Sequence, residues 1–211
     1  MALLVCFGPG AAVISAYSGG TIALEGIAAA NGIIIMALIY ALGHVSGAHF
    51  NPGVTIAFAL FRHFQPREVL PYIVAQCLGG IAGAAILWAL FGDALESGVT
   101  MPSGSDAQGI GMEIVLTFLL MFVITAVATD ARAVGAAAAI AIGSTVGLDV
   151  LVGGPITGGS MNPARSLGPA LVSGELNDLW IYLIAPPAGA ILGALFYTVV
   201  RADDGPGVSE T

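Results

Sequence analysis

No lysine occurs in these 211 residues, and five arginines face thirteen acids, for a formal net charge of −8. That balance argues against nucleic acid, and against anionic lipid headgroups, as partners. Charged residues of both signs make up only 9% of the chain, against about 25% in soluble domains. A water-exposed globular surface is excluded. Cysteine is almost absent: Cys6 and Cys77 lie in apolar stretches and are read as small packing residues, not as a disulfide. The first sixteen residues lack the basic region of a secretory leader and are read as part of a transmembrane helix. They fall short of the roughly 20 residues of a full span, so the chain is expected to begin inside its first span. A nucleotide-binding loop, a metal-ligand cluster and a catalytic triad are also missing, so neither a cofactor nor an enzymatic role is expected.

What is present is hydrocarbon and glycine. The chain is 57% hydrophobic with 30 glycines, and its mean hydropathy is +0.96. Six spans are predicted, at about 1–17, 26–45, 67–91, 109–129, 134–153 and 178–201. After the second and fifth stand two Asn-Pro dipeptides, Asn51-Pro52 and Asn162-Pro163, 111 residues apart. Each follows a Gly-rich approach and precedes about ten helix-compatible residues, too few to cross a bilayer. Asparagine is a favoured N-cap, and proline suits the first helical position. Both dipeptides therefore read as starts of half-helices, which membrane depth tolerates only inside protein or beside a water-filled cavity.

The same spacing relates other residues. Gly43, Ser46 and Gly47 fall 111 before Gly154, Thr157 and Gly158, while Gly79 and Gly83 fall 110 before Gly189 and Gly193. The chain thus reads as one channel domain over 1–211, with a first repeat at 1–91, a second at 109–201 and a cytoplasmic tail at 202–211. Three spans per repeat force the second to insert upside down, as in many transport folds. Gly79-xxx-Gly83 and Gly189-xxx-Gly193 are patterns that let helices approach closely. Arg62, Arg67, Arg132 and Arg201 all fall on one side of the six-span arrangement, which is assigned to the cytoplasm. The opposite loops carry Glu25, Asp93, Glu96, Asp106, Glu175 and Asp178. Only Arg165, inside the second re-entrant segment, departs from this pattern. The acidic loops and the lack of lysine point to a multi-pass protein of a prokaryotic plasma membrane.

Opposed half-helix starts carry chemistry. Their N-termini bear partial positive charge. The side-chain oxygens of Asn51 and Asn162 can cap the first amides, which leaves their NH2 groups to donate into a pore. The carbonyls of Gly47, Ala48, His49, Gly158, Gly159 and Ser160 can line the path as acceptors. Such an arrangement filters small uncharged polar molecules and interrupts a proton-conducting file of water. Glu113 would be costly facing lipid, so it is expected to face inward and accept from backbone N–H groups of the second re-entrant loop. Asp149 is read either as a vestibule residue or as hydrogen-bonded between helices. His44 and His49, without an acid nearby in sequence, are read as structural residues and not as a pH gate.

The stretches Gly43-His44-Val45-Ser46-Gly47-Ala48-His49-Phe50-Asn51-Pro52 and Ser160-Met161-Asn162-Pro163-Ala164-Arg165-Ser166 resemble the twin motifs of the aquaporin, or major intrinsic protein, family. The resemblance runs through nearly the whole chain and includes Glu113 and Gln76 as structural support. The stretch from Phe118 to Leu171 is most similar to the nodulin-like branch and its prokaryotic relatives. The resemblance implies an all-α, right-handed bundle of six transmembrane helices with two re-entrant half-helices in an inverted repeat. It also implies a homotetramer in membrane lipid, with a pore in each protomer. Counting from the motifs, the family's selectivity filter maps to Asn31, Val150, Gly159 and Arg165. Strict water channels of the family place Phe and His at the first two positions. Asn and Val there imply a wider aperture, suited to water and to neutral solutes such as glycerol, urea or metalloid hydroxides (arsenite, boric or silicic acid). Two other readings are a mainly water-selective pore and a closed, structural membrane protein.

The sequence departs from the family pattern in four places. The first motif reads Asn51-Pro52-Gly53, where alanine is usual, and loss of that methyl is expected to loosen the contact between half-helices. The family's glutamate near the start of span one lies before the point where this chain begins. Glycerol facilitators of the family carry Asp at the position of Ser166. Tyr182-Leu183 replaces the aromatic pair of strict water channels.

Overall fold

The computed structural model describes residues 1–129 and 137–201. The reading of Arg132 and that of the 202–211 tail therefore lie outside the described residues. Nine α-helices are seen among the described residues: α1 (Ala2–Phe7), α2 (Pro9–Tyr17), α3 (Leu24–Ser46), α4 (Pro52–Leu60), α5 (Pro66–Phe91), α6 (Asp106–Thr129), α7 (Ala138–Thr157), α8 (Pro163–Ser173) and α9 (Leu179–Val200). A 3₁₀ segment, Gly92–Gly98, follows α5. Five of the helices, α3, α5, α6, α7 and α9, are long and apolar enough to cross a membrane. The first span is the pair α1–α2.

That pair differs from the single first helix expected. Pro9 has no N–H to continue the ladder, so α1 ends at Gly8 and α2 begins at Pro9. The fifth span also differs: it runs on through Gly153-Gly154-Pro155 to Thr157 and ends where Gly158 turns left-handed at φ 80°. A glycine C-cap of this kind supplies the stop, four residues past the expected end at 153.

The 110–111 residue spacing is visible in the backbone. Gly47 and Gly158 both have φ 80°, Ala48 and Gly159 have φ 48° and 56°, and Phe50 and Met161 have φ 49° and 56°. Positive φ at three matched positions, one of them bearing a bulky side chain in both copies (Phe50 and Met161), is strain that needs a well-determined surround. Small residues let the helices carry that surround. Gly79 and Gly83 press against Met1 and Ala2 of the first span, and Gly189 against Ile114 of α6, where an added methyl would lie 2.5 Å from the Ile114 carbonyl oxygen. Gly32 and Gly143 bring α3 and α7 together in the same way, at 2.6 Å. With lipid on the outside, this close van der Waals contact is what drives the helices together.

The core lies around the half-helices. Val54, Ala57 and Phe58 of α4 pack with Leu116, Leu120 and Met121 of α6 and Ala190 and Ala194 of α9. Large apolar residues such as Leu70, Val115 and Val199 point outward instead. This is the inverse of a soluble protein and fits a hydrocarbon surround.

Candidate functional site

Asn51 and Asn162 are the N-caps of α4 and α8, both in extended conformation and both followed by proline at the first helical position. Asn51 Oδ1 accepts from Gly53 N at 2.8 Å, while Asn162 Oδ1 accepts from Ala164 N at 3.0 Å and Arg165 N at 3.2 Å. The amides then reach across the midplane. Asn51 Nδ2 donates to the Met161 carbonyl at 2.7 Å, and Asn162 Nδ2 donates to the Phe50 carbonyl at 2.7 Å. Each NH2 group thus commits one of its two N–H donors to a carbonyl of the opposite loop. The two side chains are held by five hydrogen bonds between them, and both half-helix starts direct their positive ends toward this region.

A cavity of about 150 Å³ surrounds this point. Its lining includes both asparagines, Asn31, Arg165, and the loop residues Gly47, Ala48, His49, Gly159 and Ser160. Ile35, Ile39, Phe58, Leu120, Ile142 and Val146 supply an apolar wall opposite the polar loops. Two sequence-predicted positions, Val150 and Gly158, are not in that lining. Gly159 lies over Val150, where an added methyl would come within 3.1 Å of the Val150 Cα. Val146, one turn earlier, forms the wall. Gly158 lies instead against Thr100.

Arg165 is almost fully buried, and its Nη1 donates to the Gly98 carbonyl at 3.0 Å. The 3₁₀ segment thus answers why an arginine can stand in a re-entrant helix: it presents one carbonyl to the guanidinium and leaves other donors over. Asn31 folds back on α3, its Nδ2 donating to the Ile27 carbonyl at 2.9 Å. Its Oδ1 fills the notch at Gly8, the break between α1 and α2. The kink of the first span therefore makes room for this side chain.

The second loop hangs on Glu113. Its Oε1 accepts from Thr157 Oγ1 at 2.7 Å and Ser160 N at 2.9 Å, and its Oε2 accepts from Met161 N at 2.7 Å. In the first loop the corresponding bonds are fewer, and His49 N donates to Tyr72 Oη at 3.3 Å. A pair of tyrosines braces both loops alike. Tyr72 Oη donates to the Ser46 carbonyl at 2.9 Å, and Tyr182 Oη to the Thr157 carbonyl at 2.7 Å. The hydroxyls of Ser46 and Thr157 in turn accept from Ala48 N and Gly159 N. Tyr72, Tyr182 and Thr157 were not singled out as loop supports from sequence, although each pair obeys the repeat spacing that would have found them.

Gln76 Nε2 donates to Thr55 Oγ1 at 3.1 Å, and Thr55 also meets the His49 ring. His49 sits in an aromatic box of Phe58, Phe64 and Tyr72, with ring centroids about 5 Å apart. His44 is exposed. Asp149 is 2% exposed and is not among the residues lining the cavity, and its Oδ2 has no hydrogen-bond partner. The nearest atoms to a methyl added at Gly53 are Asn51 Oδ1 at 3.2 Å and the backbone of Pro187 in α9 at 3.4 Å. Among the described residues, no group of three or more metal-ligating side chains is found.

The family described as Major intrinsic protein matches residues 1–197 of the chain. Nodulin-26 of Glycine max is 50% identical over 209 residues, covering 99% of this chain and 77% of its own. Aquaporin NIP1-1 of Oryza sativa subsp. japonica is 48% identical over 204 residues, covering 96% and 72%. The chain belongs to the major intrinsic protein family. As a major intrinsic protein it is an integral membrane channel, and its transport is passive. The aquaglyceroporin of Plasmodium falciparum, solved by X-ray crystallography, superposes with a TM-score of 0.79 over 94% of this chain and 92% of that one, at 23% identity. This major intrinsic protein therefore has the aquaporin fold: six spans, two re-entrant half-helices and an inverted repeat.

Proposed function

We propose that this major intrinsic protein passes water and small uncharged polyhydroxy solutes, a class that includes glycerol, urea and metalloid hydroxides. The observation that carries the reading is the wall of the cavity at Arg165. Lining the same cavity as the guanidinium are Gly159, which has no side chain, and Asn31, whose amide is folded back toward Gly8. None of the four filter positions, Asn31, Val150, Gly159 and Arg165, carries an aromatic ring. A solute that gives up part of its hydration shell meets Arg165 as a fixed donor, loop carbonyls as acceptors, and then the two asparagine N–H groups. The guanidinium and the paired helix ends oppose cations. The names aquaporin and aquaglyceroporin carried by the rice relative and the Plasmodium falciparum structure agree with a pore of this class.

Within this reading, Asn31 and Arg165 select by size and hydrogen bonding, and Val150 acts from behind Gly159. The test is stopped-flow light scattering on proteoliposomes under water, glycerol and urea gradients, with arsenite uptake alongside. Asn31→Phe combined with Val150→His is expected to lower glycerol and urea flux at least about tenfold, equivalent to roughly 1.4 kcal/mol at the barrier, and to spare water. Unchanged solute flux in that variant would remove the wide-filter reading. Absence of any permeability above empty liposomes would favour a closed structural role.

The outward apolar residues of the bundle leave a protomer able to pack against copies of itself, and the functional unit proposed is a homotetramer with one pore per protomer. Light scattering of the detergent-solubilised protein is expected to give four times the chain mass after correction for detergent; a monomeric mass would exclude it.

A further inference from the structure

Gly8 stands at the break in the first span and is not among the residues lining the cavity, but the side chain packed on it, Asn31, is. We infer that Gly8 is a further specificity-determining residue of the pore. The notch it leaves receives the end of Asn31 and so sets how much of the lumen that side chain occupies. The inference rests on the proposed wide filter and adds to it a residue from outside the lumen.

Gly8 has φ −75°, a value open to every L-residue, so no left-handed turn demands glycine here. What a side chain lacks is room. A methyl added at Gly8 would lie 2.7 Å from Asn31 Oδ1 and 3.3 Å from Asn31 Cγ. Its other close neighbour is the Leu4 carbonyl oxygen, at 2.8 Å. The glycine is itself held by its backbone: Gly8 N donates to the Leu4 carbonyl at 2.8 Å, and Ala11 N donates to the Gly8 carbonyl at 3.0 Å.

The helices on either side are clamped as well. A methyl at Gly32 of α3 would meet the Gly143 carbonyl oxygen of α7 at 2.6 Å, and one at Gly83 of α5 would meet the Ala2 carbonyl oxygen of α1 at 2.6 Å. Backbones packed this closely transmit a displacement and do not absorb it. The part that can yield is the end of the Asn31 side chain, which turns about its own bonds. Its amide is now drawn back along α3 by the bond from Nδ2 to the Ile27 carbonyl, at 2.9 Å. Driven out of the notch, it has the cavity beside it, which it already borders together with Arg165 and Gly159. An amide standing there obstructs a polyhydroxy solute more than it obstructs a single water.

The test is stopped-flow light scattering on proteoliposomes of the full chain under water, glycerol and urea gradients. Gly8→Ala, Asn31→Ala and the double variant are compared with the wild type. Gly8→Ala is expected to cut glycerol and urea flux about tenfold, the lower end of what one methylene discriminates in a close-fitting site, with a much smaller loss for water. In the double variant the displaced amide is gone, and solute flux should return at least to the wild-type rate. That departure from additivity marks the two positions as one contact. Equal solute flux through Gly8→Ala and the wild type overturns the proposal and leaves the wide filter standing. A wild type that passes water but neither solute removes the wide filter, and the role of Gly8 with it. Should Gly8→Ala fail to fold, recovery of folding and solute flux in the double variant supports the proposal. A double variant as impaired as Gly8→Ala overturns it, since the methyl would then act on the Leu4 carbonyl and not on Asn31.

Discussion

Glu113→Ala should abolish channel function and most of the protein's thermal stability together. The change strips three buried donors, Thr157 Oγ1, Ser160 N and Met161 N, of their acceptor at once. Each donor left unsatisfied costs about 1–3 kcal/mol, so the total is comparable with the whole stability of an ordinary domain. The damage reaches the lumen directly. Met161 is the residue whose carbonyl receives Asn51 Nδ2, so a loop that shifts at Met161 also releases the amide of the opposite half-helix. Glu113→Gln keeps one acceptor oxygen and is expected to retain a folded protein with reduced flux. Melting in detergent and water permeability of proteoliposomes measure both effects. If Glu113→Ala conducts and melts as the wild type does, the carboxylate is not the support described above.

Gly168→Val is the second large effect expected, and it acts through packing alone. A methyl at Gly168 would run into the Gly80 carbonyl, and one at Gly80 into the Ala164 carbonyl. Backbone atoms cannot rotate aside as a side-chain terminus can, so α8 would have to move away from α5. Overpacking of this kind costs about 1–3 kcal/mol or more, and here it displaces the helix that Asn162 caps. Flux should fall with stability, and Gly80→Val should do the same from the other side. Gly111 is the control. It is exposed on α6, and nothing lies within 4 Å of an added methyl. Gly111→Ala should therefore raise helix stability by about 0.8–1 kcal/mol and leave transport untouched. Equal melting temperatures for Gly168→Val and the wild type would show that the α5–α8 contact yields more easily than its backbone geometry implies.

Features carried by local chemistry could be read from the sequence. The half-helices announce themselves because Asn-Pro after a glycine-rich approach can do little else in an apolar chain. The shared spacing then gives the inverted repeat, and the cost of a carboxylate in lipid points Glu113 inward. Features carried by long-range contact could not. Nothing local to Gly98 marks its carbonyl as the acceptor of Arg165, and Thr100 meets the hydroxyl of Ser166 at 2.7 Å across 66 residues of sequence. Counting residues from a motif led to Asn31, which lines the cavity, yet it could not foresee that Gly159 would lie over Val150. The break at Gly8-Pro9 had a local signal, but the apolar run around it reads as one uninterrupted helix until the notch occupied by Asn31 is seen.

The crossed hydrogen bonds from Asn51 to the Met161 carbonyl and from Asn162 to the Phe50 carbonyl have a mechanical consequence. Neither half of the molecule owns the narrow point; each is clasped by the other, hook to hook. Pulling one half-helix outward would break both clasps at the same instant, in a place where water can replace them only by entering the single file itself. The centre of such a molecule behaves as a keystone and not as a door. Any control over traffic is left to the mouths, where loops can shift without unlocking the middle.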